Sequence, residues 1–372
     1  MQADASKGAT VITTREARLA AAAWVREQAE AIPEYVGALV AGSTRERADG
    51  DPHPDSSDVD VWVVVDAPVP DTMQEPRHRF ATRKFHHRGV VIERGFFPWE
   101  RLADPERVLG DPYLAPNLAS PAIVGDPSGR IRRVADAVAP AYPRRVHVRR
   151  RVEAKLAGAD RFCGWAASSG HEPPYHPAVI APAQVVVAAQ HAAGAVAVAA
   201  LRQPSPRRSF VRAGEILAAH GRSELHADLL RALGSAEMGR AEVERALEEL
   251  ARAYDVATRV RRTPFGMELE FAPESRAFAL GGVRELVEAG HHREAMFRLT
   301  LLRALAQNAI ENDGSPAERA ELGEGFRALL ATMGLDEPRR LARIAEIRQL
   351  LPRLRAGCEE ILAATPGVVD DR

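Results

Sequence analysis

Short apolar runs separated by polar breaks occupy the first third of the chain. Tyr35–Ala41, Val59–Val65, Gly89–Phe97 and Ala122–Val124 are each rich in Val, Ile or aromatic residues and end at Gly, Pro or Asp. Such runs predict β-strands. Val59–Val65 is apolar almost throughout, which predicts a strand that is covered on both faces of its sheet.

Helical signals lie between these runs. Thr13 and Glu16 have the spacing of a capping box, so we expect a helix from there to about Ala31. The segments Arg77–His87 and Trp99–Leu109 also favour helix. The first third of the chain should therefore mix strands with short helices.

The pattern changes near residue 143. Strand-like runs disappear, Ala, Leu, Arg and Glu dominate, and Ala241–Val260, Val283–Ala309 and Pro316–Met333 show helical apolar spacing. We predict an α+β protein with a small mixed β-sheet domain at residues 1–143 and a larger all-helical domain at residues 144–372.

Composition and net charge bear on the class of protein and on its binding partners. Hydrophobic residues make up 46% and charged residues 27%, with a net charge of −1. This balance is typical of a soluble globular protein and argues against a broad nucleic-acid-binding face. Arg144–Arg145 and Arg149–Arg151 form the best local basic cluster.

Cysteines and the longest apolar stretch bear on location. Cys163 and Cys358 are far apart and lack metal-type spacing, which favours a reducing, cytoplasmic setting. Residues 1–20 lack the pattern of a signal peptide. Ala183–Leu201 is long enough to span a membrane, but its alanines and its Gln and His residues favour a buried helix.

Candidate chemistry lies between the first two predicted strands. Gly42 and Ser43 follow one apolar run, and Asp58 and Asp60 begin the next. Alternate residues of a strand share a face, so both carboxylates point the same way. Their mutual repulsion is relieved if a cation lies between them, and Mg²⁺ prefers such oxygen ligands.

Further residues fit phosphate and metal chemistry. Glycine at position 42 allows a phosphate to approach the backbone closely, Ser43 offers a hydroxyl, and Arg45 adds positive charge. Glu93 lies inside the apolar third strand, where a carboxylate needs a partner. It is the candidate third carboxylate. The pair Arg207-Arg208, after a Pro-Ser-Pro break, is a candidate source of a basic group from the helical domain.

This pattern resembles the nucleotidyltransferase superfamily that includes DNA polymerase beta and the aminoglycoside nucleotidyltransferases. Its motif is an apolar residue, Gly-Gly or Gly-Ser, a loop, and Asp-x-Asp in a strand, followed by a third carboxylate on a neighbouring strand. The resemblance covers about residues 35–135. It implies that Asp58, Asp60 and Glu93 bind two Mg²⁺ ions and that Gly42, Ser43 and Arg45 hold an NTP, with ATP as the expected donor. Glu93 would act as a metal ligand, as the general base for the acceptor hydroxyl, or as both. Glu153, Glu215 and Glu294 of the helical domain are the other possible general bases.

The resemblance implies transfer of a nucleoside monophosphate to a hydroxyl of a small molecule, such as an aminoglycoside, as in antibiotic-resistance enzymes. Nucleic acid and membrane are not expected partners. Two alternatives stay open: a protein or tRNA acceptor, as in toxin–antitoxin systems, and a nucleotide-binding module without turnover.

Structural interpretations of the same residues also stay open. Asp58 and Asp60 could form only a polar strand start, and Glu93 could be an ion-pair partner of Arg94 or Lys84. The paired histidines His86–His87 and His291–His292 lack zinc spacing.

Overall fold

A computed structural model describes residues 12–70, 77–168 and 173–371 of the 372-residue chain. It has the α+β architecture that the sequence predicts, with a small mixed sheet and a larger helical part. The strands follow in chain order: β1 Tyr35–Ala41, β2 Val59–Val65, β3 Arg83–His87, β4 Val90–Pro98 and β5 Ala122–Gly125.

The sheet has the strand order β3-β4-β2-β1-β5. Strand β2 is antiparallel to β1 and parallel to β4, while β3 and β5 form the two edges. The strands predicted from the four apolar runs are confirmed. Strand β3 was not predicted.

Helices cover the sheet and then form the rest of the chain. They are α1 Thr14–Trp24, α2 Pro105–Gly110, α3 Leu114–Ala119, α4 Arg130–Ala141, α5 Arg145–Ala167, α6 Pro177–Ala199, α7 Ser209–Ala219, α8 Ser223–Leu233, α9 Arg240–Val260, α10 Gly282–Glu288, α11 His292–Asp313, α12 Pro316–Met333 and α13 Glu337–Ala364. The predicted capping box is confirmed, since the Thr13 hydroxyl accepts from the Glu16 N–H and the Glu16 carboxylate accepts from the Thr13 N–H.

The helix predicted at Arg77–His87 is wrong. Residues 83–87 form β3, which pairs with β4 through a two-residue turn at Arg88 and Gly89. Both turn residues have positive φ, 49° and 79°, as tight hairpins with the twist of the strands require. The Phe85 ring packs against Trp24 of α1 at 5.1 Å between centroids, which fixes one face of the strand.

Two other predicted helices are divided by local chemistry. In the segment Trp99–Leu109, one turn at 99–101 is followed by α2, which starts at Pro105 behind the capping carboxylate of Asp104. The segment Val283–Ala309 splits into α10 and α11 because Gly290, with φ of 88°, ends the first helix.

Strand β2 is buried on both faces, as predicted. Val59, Val61 and Val63 pack in a cluster with α1, whereas Val64 lies in a second cluster with residues of α2, α3 and α4. Because side chains alternate along a strand, Asp60 is on the same face as Val64. The carboxylate therefore faces away from α1.

A third and larger cluster of buried residues begins at Val152 in α5 and continues to Ile361 in α13. Helix α6 lies inside it, in contact with α5, α7, α11 and α13. Among the described residues, α6 alone is long and apolar enough to span a membrane, and 78% of its most apolar stretch is buried inside the protein. The predicted buried helix is thus present, and both cysteines are buried and free.

Candidate active site

Three carboxylates meet at one end of the sheet. Asp60 in β2 is paired in register with Glu93 in the parallel strand β4, and Asp58 lies two residues before Asp60. Side chains at paired positions of neighbouring strands, and at alternate positions along one strand, point to the same face. The structure therefore brings together the three acids that the sequence singled out.

Gly42 lies against the carboxylate of Asp60. It follows β1, whose last residue Ala41 pairs with Asp60, and it has φ of 68° and ψ of −159°. A Cβ atom at this position would lie 1.8 Å from Asp60 Oδ2. Only glycine fits, because the backbone conformation and the approach of the carboxylate both exclude a side chain. Ser43 follows, half-buried, at the start of a single helical turn.

The loop after Ser43 is held by Arg18, a residue of α1 that no sequence motif singles out. Its guanidinium donates to the carbonyl oxygens of Thr44 (2.6 Å), Arg45 (3.0 Å) and Arg47 (2.7 Å), and to the carboxylate of Asp49 (2.6 Å). One side chain thus fixes four residues of the loop. The contacts join residues about thirty positions apart in the sequence, so no local motif predicts them.

Arg45 has structural partners in this arrangement. Its Nη1 donates to the Ser120 carbonyl at 3.1 Å and its Nη2 to Gln203 Oε1 at 2.7 Å, which links the loop to the helical half. The guanidinium is largely buried. A phosphate contact of Arg45 stays a prediction and requires that these bonds be exchanged.

Lys84 of β3 lies between two of the acids. Its Nζ is 2.6 Å from Asp58 Oδ2 and 3.0 Å from Glu93 Oε2, and its side chain is 2% exposed. The ring of Phe278 covers the ammonium at 4.0 Å from its centroid. The ion pair of Glu93 with Lys84 was one of the alternatives that the sequence left open. It is present, and it includes Asp58 as well.

Crowding of the acids perturbs their protonation. Burial, followed by repulsion from Asp58 and Glu93, raises the pKa of Asp60 well above its usual range. Burial raises the pKa of Glu93 to about 7, against the opposing effect of the Lys84 ammonium. Although burial disfavours its charge, Asp58 and Glu93 raise the pKa of Lys84. The lysine is therefore charged at neutral pH, and the raised pKa values of Asp60 and Glu93 mean that these two carboxylates bind protons unusually tightly.

The helical half holds the residues just before Asp58. Arg207 Nη1 donates to the carbonyl of Ser56 at 2.9 Å, and the Ser56 hydroxyl donates to the carboxylate of Glu285. The guanidinium of Arg207 also lies 5.1 Å from the Phe278 ring centroid. Arg207, one of the two arginines predicted to supply a basic group, thus contacts the backbone of the loop two residues before Asp58, and its role toward a phosphate stays a prediction.

A cavity of about 360 Å³ opens beside Glu93 and Lys84. The other residues that line it come from β3, the segment before it and the loop after α9: Ala81, Thr82, Arg83, Arg261, Gly266, Met267, Glu268, Leu269, Glu270 and Ala272. Glu270 is paired with Arg298 at 2.5 Å. The wall contains as many acids as bases, so the cavity suits a polar ligand that offers both donors and acceptors.

The residues fit a divalent cation only in part. Within the three described ranges, no group of three or more His, Cys, Asp or Glu side chains is positioned to hold a metal ion. The Lys84 ammonium lies between Asp58 and Glu93, where it would compete with a cation shared by these two acids. Asp60 has no cationic partner among the ion pairs of the described residues and can accept one.

No family model matches the chain, and no curated protein matches it.

Proposed function

We propose that this protein transfers a nucleoside monophosphate from an NTP to a hydroxyl group of a small molecule and releases pyrophosphate. The observation that carries the proposal is the pairing of Asp60 with Glu93 on parallel strands, with Asp58 beside them and Gly42 against the Asp60 carboxylate. Adjacent acids on rigid strands suit in-line displacement at a phosphorus, where charge develops on both the attacking and the leaving oxygen.

Each element of the site has a part in this reaction. The Gly42–Ser43 turn presents backbone and a hydroxyl to the phosphates. Asp60, with the free oxygens of Asp58 and Glu93, would hold Mg²⁺, which neutralises phosphate charge when bound. Glu93, with a pKa of about 7, is suited to accept the proton of the attacking hydroxyl.

The cavity beside Glu93 supports a small acceptor. Its volume of about 360 Å³ falls in the range of small-molecule sites, and Glu93 forms part of its wall. A polyhydroxylated amine of the aminoglycoside kind matches the mixed polar lining.

The basic cluster of α5 gives no support to a tRNA acceptor. Arg145, Arg149 and Arg150 are each paired with a carboxylate, from Asp370, Glu359 and Glu106. Arg151 is buried, and it donates to two backbone carbonyl groups. Apart from the exposed Arg144, little uncompensated positive charge is left in this cluster for a phosphate backbone.

The test is Mg²⁺-dependent release of pyrophosphate from ATP, GTP, CTP and UTP in the presence of aminoglycosides and other small hydroxyl compounds. We expect release that requires one acceptor and that is lost in Asp60→Asn. Asp55→Asn is the matched control, because Asp55 is an exposed aspartate of the loop that leads into β2. Release with tRNA or protein alone would replace the acceptor class, and absence of NTP binding would refute the proposal.

A further inference from the structure

Lysine is rare in this chain. The sequence has 47 arginines and three lysines, Lys7, Lys84 and Lys155. The two lysines that the structure describes are both buried, whereas arginine supplies nearly all the ion pairs. An ammonium is a compact point charge, and a guanidinium is a wide planar fork. Lysine at position 84 therefore indicates a place where a compact cation is needed.

The surroundings of Lys84 are those of a cation site that is already filled. Two of the directions around Nζ lead to Asp58 Oδ2 at 2.6 Å and Glu93 Oε2 at 3.0 Å. The Phe278 ring covers a further side at 4.0 Å and attracts the positive charge through its π face. With a side chain that is 2% exposed, the ammonium is enclosed between two acids and an aromatic ring.

Charge balance points to one additional cation. Asp58, Asp60 and Glu93 carry three negative charges when ionised, and Lys84 supplies one positive charge. Glu270, the next acid, is already paired with Arg298. Arg207, another nearby cation, donates to the Ser56 carbonyl, and its charge interacts more strongly with Glu285 than with Asp58. One divalent cation at Asp60 would neutralise the remaining two charges.

We infer that the Lys84 ammonium permanently occupies one of the two cation positions among these acids, so that the site binds a single divalent cation, through Asp60. The inference rests on the proposed function for the role of that cation. It departs from the two Mg²⁺ ions that the resemblance implies, because one of the two positions is filled by the protein itself. Lys84 is thus a positioning residue that holds Asp58 and Glu93 in place without metal.

The test counts bound Mn²⁺ by electron paramagnetic resonance of the free ion, in titrations of the full chain without nucleotide. We expect one Mn²⁺ per wild-type chain and none in Asp60→Asn. Lys84→Met removes the charge at similar volume, so this variant should bind two Mn²⁺ per chain. Its second Mn²⁺ should bind at least tenfold more tightly than any second Mn²⁺ binds to the wild type.

Two equivalents of Mn²⁺ of similar affinity in the wild type would overturn the inference, whatever the variants do. So would a single equivalent in a folded Lys84→Met, with folding checked by circular dichroism. Pyrophosphate release is measured separately on the same wild-type sample. One bound Mn²⁺ without any release would refute the proposed function and leave the assignment of Lys84 intact.

Discussion

Gly42→Ala is the sharpest test of the site geometry. The backbone at this position has φ of 68° and ψ of −159°, a region that residues other than glycine adopt at about 1–3 kcal/mol. In addition, the new methyl group would lie 1.8 Å from Asp60 Oδ2, so the carboxylate must move by more than an ångström. A misplacement of about 1 Å lowers the rate of a positioned reaction by about 10²-fold, which corresponds to about 2.7 kcal/mol.

Two measurements follow the two effects of Gly42→Ala. Urea unfolding, monitored by circular dichroism, should show a loss of about 1–3 kcal/mol. Pyrophosphate release should show kcat/KM reduced by about 10²-fold.

The chain supplies two matched controls. Gly50→Ala, in the same loop, meets open space without positive φ and should change stability by less than about 0.5 kcal/mol. Gly290→Ala has φ of 88° and open space, so it isolates the backbone term at about 1–2 kcal/mol. If Gly42→Ala unfolds at the same urea concentration as Gly50→Ala and keeps the wild-type rate, the contact between Gly42 and Asp60 has no functional meaning.

Three further predictions concern stability. Arg18→Ala removes the donor to several loop carbonyl groups and should lower the free energy of unfolding by about 1–3 kcal/mol, whereas Arg15→Ala, on the exposed side of α1, should leave it unchanged. Equal urea midpoints for the two variants would contradict this prediction. The pKa of Glu93 rises from 4.5 to about 7 in the folded protein, so without metal its contribution to stability falls as pH rises across that interval. Glu93→Gln should reduce this fall, and an unchanged pH profile of the unfolding midpoints would refute the raised pKa of Glu93. Lys155 donates to the Tyr113 hydroxyl at 2.8 Å, and burial lowers its pKa from 10.5 to about 7, so the stability of the protein should rise with pH between these values. The rise should disappear in Lys155→Met, and a rise that persists in this variant would belong to another group.

The sequence predicts the parts of the fold that follow from local apolar patterns. Val59–Val65 and the run before Gly42 are apolar enough to be read as strands without further context. Strand β3 was missed because Arg83–His87 contains one apolar residue, Phe85, and its strand character comes from pairing with β4. The available signal was Arg88-Gly89, a pair suited to a tight hairpin, placed directly before a predicted strand.

The same distinction applies to the site. The common face of Asp58 and Asp60 follows from the two-residue period of a strand, and the Glu93 position from the cost of an isolated carboxylate in an apolar strand. The position of Lys84 beside the acids depends on the register of β3 against β4, so it cannot be predicted when residues 83–87 are assigned to a helix. Arg18 acts through a contact between α1 and a loop that only the folded chain brings together.

The bonds from Arg207 and Glu285 to Ser56 have a consequence for attempts to divide this protein. The acids lie on the sheet, but the segment that leads into Asp58 is held from the helical half, across more than 150 residues of sequence. A fragment that contains the sheet alone would keep every acid of the site and lose the support of the segment before them. Grafting the strands onto another scaffold would therefore transfer the residues without their alignment, and the smallest unit that preserves the site includes both halves.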